Sequence, residues 1–103
     1  MLENKGYTKD TTVSFKLVNG DEIVAKIVEE TSDAFVINKP CTCMPSQRGL
    51  GLLQSLFTSD LNKTITLSKT HVMMHAPTVK DVENHYLQTT TGIEPVGTSG
   101  IIT

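Results

Sequence analysis

Cys41 and Cys43, one residue apart, and His71 and His75 further along the chain carry the most specific chemistry in this sequence. Thiolate and imidazole are the ligands zinc prefers, so the four together could form a tetrahedral site. Their spacing argues otherwise. Cys-x-Cys is tighter than the gap of a usual zinc knuckle, and His71 and His75 share one face of a strand pattern, where partly exposed imidazoles are ordinary. No metal is expected. The two cysteines also lie too close in sequence for an unstrained disulfide and read as reduced thiols. Ser, His and Asp are all present, but no nucleophile elbow, glycine-rich phosphate loop or paired acidic motif frames them. The expectation is a binding protein, not an enzyme, with no cofactor.

A second group, Lys69, Thr70 and His71, places a cation, a hydroxyl and an imidazole at the tip of a turn. Such a tip can hold phosphate or a base edge, and the bland alternative is a solvated turn lysine. Repeating one lysine around a closed assembly would gather several charges in one place. The segment Arg48-Gly49-Leu50-Gly51-Leu52-Leu53 carries no chemistry of its own. The apolar stretch 49–57 reads as a loop that folds back over the domain, contacts a neighbouring subunit or docks a partner.

The elements that must position these residues are mostly strands. A chain of 103 residues holds one domain. With 38% hydrophobic residues, 5% aromatics and no Trp it has few large side chains for a core, which fits a self-associating subunit. The net charge of −2 removes any bulk attraction for a polyanion. No apolar run is long enough to span a bilayer and the first residues do not read as a signal peptide, so a cytoplasmic protein is expected. Residues 1–11 read as a mobile or lightly docked arm, 12–92 as the folded domain and 93–103 as a loose tail. Alternation predicts strands over residues 12–18, 22–29 and 34–39, the first two joined by an Asn19-Gly20 type I′ turn, the third stopping at Pro40. Aliphatic residues on both faces of the second strand demand cover on both sides, hence a strongly bent sheet or barrel. Residues 41–64 read as a long loop with one helical turn. Alternation resumes at Ile65 and Leu67, Ser68-Lys69-Thr70 makes a tight turn, and residues 71–76 give a last, edge strand. Val72, Met73, Met74, Ile65 and Leu67 are the candidate oligomer interface. Thr78, three residues before Asp81, suggests the cap of a helix whose stripe is Val79, Val82, Tyr86 and Leu87, closing near Gly92.

Five short strands in this order, with Leu17-Val18-Asn19-Gly20-Asp21-Glu22-Ile23-Val24-Ala25-Lys26-Ile27 and Leu67-Ser68-Lys69-Thr70-His71-Val72-Met73-Met74-His75-Ala76-Pro77, resemble the two motifs of the Sm-like family. The likeness extends to Sm-like proteins of cyanophage origin, and it covers roughly residues 12–77. It implies a small five-stranded, strongly bent barrel, here with a C-terminal helix, assembled as a homo-oligomeric ring. It also implies binding of single-stranded nucleic acid, RNA before DNA, in processing during phage infection. Lys69 falls where the Hfq branch carries a loop lysine, and Thr31 and Phe35 fall where the family's uridine-binding Asp and Asn stand. Phe35 could stack a base there. Leu67-Ser68 replaces the family's Arg-Gly. The other reading of the same ring is a structural or adaptor part, in phage assembly or other protein contacts, without nucleic acid.

Overall fold

In the computed structural model, residues 6–47, 49–56, 58–60 and 62–92 are described. Strand makes up 53% of the described residues, in one antiparallel sheet followed by one helix, so the fold is mainly β. The alternating segments form β1 (Thr12–Leu17), β2 (Glu22–Glu30) and the start of β3 (Ala34–Ser46) as a meander, with Val13 opposite Ala25 and Ile27 opposite Ile37. In the first turn Gly20 alone has positive φ, at 98°, and its N–H donates to the Leu17 carbonyl at 2.9 Å. The turn is therefore type I with a left-handed glycine after it, not the expected type I′. Asn19 instead uses its Oδ1 to accept from the Asp21 N–H at 2.9 Å.

β3 does not stop at Pro40. Val24 pairs with Cys41 but Lys26 with Asn38, so Lys39 and Pro40 together face Ala25 as a bulge, and Lys39 takes a φ of 50°. A bulge frees the proline from the hydrogen-bond ladder, which is how a strand accommodates it. The strand bends there, continues to Ser46 and returns as β4 (Gly49–Gln54). Part of the expected long loop is thus a hairpin, and the described residues form six strands, not five. β5 (Ile65–Ser68) pairs with the first part of β3, so the outer edge of β3 is divided between β4 and β5. A single 3-10 turn, Lys69–His71, leads into β6 (Val72–Pro77) on the far side of β1. The order is β4-β3-β2-β1-β6 with β5 beside β3, and β5 and β6 do not pair, so hydrogen bonds do not close the sheet into a barrel.

β2 is covered on both faces, as its aliphatics require. Ile23, Ala25 and Ile27 join Val13, Phe15, Phe35 and Ile37 in the main core. On the other face Val24 and Cys41 lie under Tyr86, Val82 and Leu87 of α1 (Lys80–Gly92). The buried Tyr86 hydroxyl donates to the carbonyls of Lys39 (2.9 Å) and Asn38 (3.2 Å), fixing the helix to the bend. Val79 is 66% exposed and not part of the stripe. Thr78 does not cap the helix: its hydroxyl lies 2.8 Å from that of Ser14, and its N–H prolongs the pairing with β1. No helix among the described residues is long and apolar enough to cross a membrane. Arg48, Phe57, residues 1–5 of the arm and the 93–103 tail lie outside the described residues.

Candidate functional site

The turn between β2 and β3 is tied by Thr31, whose hydroxyl accepts from the Ala34 N–H at 3.0 Å while its own N–H donates to the Ala34 carbonyl at 2.9 Å. The turn between β5 and β6 is capped by Ser68. The two turns meet: the Lys69 N–H donates to the Asp33 carbonyl at 2.9 Å. Five residues chosen from sequence, Thr31, Phe35, Lys69, Thr70 and His71, are therefore gathered at one end of the sheet. Thr70 and His71 face solvent.

The chemistry of the cluster is subdued. Lys69 Nζ bonds Glu30 Oε2 at 2.8 Å, and it sits 5.0 Å from the centroid of the Phe35 ring. Its charge is balanced and its side chain half-buried. Phe35 is only 1% exposed. Its ring meets Phe15 and His75 edge-on, each at 5.0 Å, and Tyr7 at 6.4 Å, so it offers no open face to a base. The Thr31 hydroxyl is spent on its own turn.

Three further residues complete the cluster: Tyr7 and Glu30, which nothing in the sequence singles out, and His75, which the sequence offers only as a zinc ligand. The Tyr7 hydroxyl lies 2.6 Å from His75 Nδ1, and burial, then the Glu30 carboxylate, raises its pKa. Gly6 passes so close to Glu30 that a β-carbon there would stand 2.7 Å from Oε1. Nothing in the arm's composition marks Tyr7, since its partners are 23 and more residues away. An open depression of ≈ 180 Å³ remains beside the cluster, lined by Phe35, Lys69, Val72, Met73 and His75.

Of the candidate interface residues, Val72, Ile65 and Leu67 pack inward against the main core, whereas Met73 and Met74 are 60% and 61% exposed. The two cysteines are free and lie on the helix side of the sheet, apart from His75 on the core side. Burial, then the neighbouring Cys43, pushes the Cys41 thiol up to about 11, and burial followed by Glu22 raises Cys43. Both stay protonated near neutrality, the form that is poor as nucleophile and ligand. Among the described residues no three His, Cys, Asp or Glu side chains gather as a metal site would require.

No family model matches the chain, and no curated protein is similar enough to count as a relative. The functional reading therefore stands on geometry and residue chemistry.

Proposed function

We propose that this chain is a non-enzymatic, Sm-like subunit whose sheet curls into a small barrel and assembles into a homo-oligomeric ring, serving as a structural or adaptor part through protein contacts. The observation that carries the reading is a pair of unlike strand edges, those of β5 and β6, without a partner among the described residues on either side of one short turn. Unlike edges join head to tail, and head-to-tail contacts close into rings when the rotation allows. The exposed Met73 and Met74 sit on one of these edges, where adaptable apolar side chains suit a subunit contact. The balanced Lys69 and the covered Phe35 weigh against a polyanion ligand. Light scattering tests the assembly: a closed oligomer is expected, and a monomer at micromolar concentration overturns it.

The second reading places single-stranded nucleic acid, RNA before DNA, on the face where the two turns meet. It is favoured by the Lys69–Asp33 backbone bond, which holds a lysine, an exposed hydroxyl and an exposed imidazole together beside a depression. Binding of short RNA and DNA oligomers across a salt series decides between the readings. Under the second, Lys69→Ala lowers affinity and flattens the salt dependence more than Lys16→Ala. Under the first, the unaltered protein binds neither oligomer at low salt. In a phage setting the first reading means a part of particle assembly and the second a factor in RNA or DNA processing, both inside the bacterial host.

A further inference from the structure

A third strand edge is open as well. β4 pairs with β3 in unbroken register, from Cys41 opposite Gln54 to Ser46 opposite Gly49, and its outer edge has no partner among the described residues. Proteins that keep an edge strand single protect it with a lysine, a proline or a bulge. The six residues of β4, Gly49-Leu50-Gly51-Leu52-Leu53-Gln54, hold none of these. Leu52 packs toward Tyr86 and the helix, while Leu50 and Leu53 remain 39% and 45% exposed.

We propose that β4 is a two-fold interface that takes the β4 strand of a second copy of this chain, antiparallel and edge to edge. Two features select a second copy. Arg48 is the one charged residue from position 40 to 59, so nothing along the strand repels its own image or calls for a partner of opposite charge. The other argument is parity, and it rests on the ring reading above. The edges of β5 and β6 satisfy one another between neighbours around a ring, and β4, left over, has its own copy as the matching edge. A two-fold axis perpendicular to the sheet keeps each face on its own side, so Leu50 and Leu52 continue one apolar row across the junction and Leu53 the other. Hairpins leaving the same side of a ring would join two rings back to back.

The test is the mass of the intact chain by size-exclusion chromatography with light scattering, with circular dichroism to verify folding. Leu50→Glu with Leu53→Glu sets like charges on both sides of the junction and is expected to halve the wild-type mass. Leu53→Lys, at a position already exposed, serves if the double variant unfolds, and Val79→Glu, at an exposed position ahead of α1, is expected to leave the mass unchanged. Met73→Glu with Met74→Glu is expected to reduce the assembly to dimers. A folded hairpin variant with the wild-type mass overturns the β4 interface and leaves the ring intact. A wild-type dimer that the methionine variant does not alter, and that the hairpin variant splits, overturns the ring and supports the interface. A wild-type monomer overturns both.

Discussion

Lys69 illustrates what a single position can and cannot announce. Its place at a turn tip was legible in the motif around it, but its partner Glu30 was not, because the ion pair spans 39 residues and depends on two turns docking. Glu30→Gln leaves the ammonium half-buried without its carboxylate. It is expected to cost about 1 kcal/mol in urea denaturation, at the upper end for a partly exposed pair. Under the nucleic-acid reading the same change strengthens oligonucleotide binding, by releasing the lysine. Cys41 gives a prediction in pH. Its thiol titrates near 9 in the unfolded chain and about 11 in the folded one, so the folded state holds the proton between these values. Stability is therefore complete below about pH 9 and falls as pH rises through about 11. Urea midpoints measured from pH 8 to 11 should decline, and less steeply for Cys41→Ala, whatever its lower starting point.

Among the elements, the first hairpin and the bend of β3 show where local sequence rules hold and where tertiary context replaces them. The Asn19-Gly20 pair marked the right turn, although only the glycine needs positive φ. Gly20→Val has open space for its side chain, with no atom within 4 Å of the added β-carbon, so its whole cost is backbone strain. A loss of about 1–3 kcal/mol is expected in thermal or chemical melts. An unchanged melting temperature would mean that valine adopts this φ without penalty. Pro40, by contrast, read as a strand end and is instead a bulge. No rule of local propensity reveals that, because the bend is held from outside by the Tyr86 hydroxyl. Tyr86→Phe removes the donor from two carbonyls at the bend and is expected to cost about 1–3 kcal/mol. The Leu-Gly alternation after Arg48 failed as a strand signal for a similar reason. Its glycines, like Pro45 before them, resemble breakers, and only the register with residues 41–46 makes it a strand.

At the scale of the whole molecule, alternation on both faces of β2 foretold that the sheet would be covered on both sides, and it is, by the main core and by α1. The open edges were less legible: residues 71–76 were recognised as an edge, whereas β4 stayed hidden inside an apparent loop. The divided edge of β3 has a consequence for how the protein moves. Residues 34–37 are locked between β2 and β5 over the main core, whereas the end of β3 beyond Thr42 is held by β4 without β2 on its other side. Cooperativity should break at Lys39–Pro40. Hydrogen exchange is expected to show slow amides in residues 34–37, released by global unfolding, and faster ones in residues 43–46 and 50–54, released when the hairpin opens by itself. That separation makes the hairpin a lever of its own. It can fray, pair or exchange partners with rising concentration while the body of the domain stays folded.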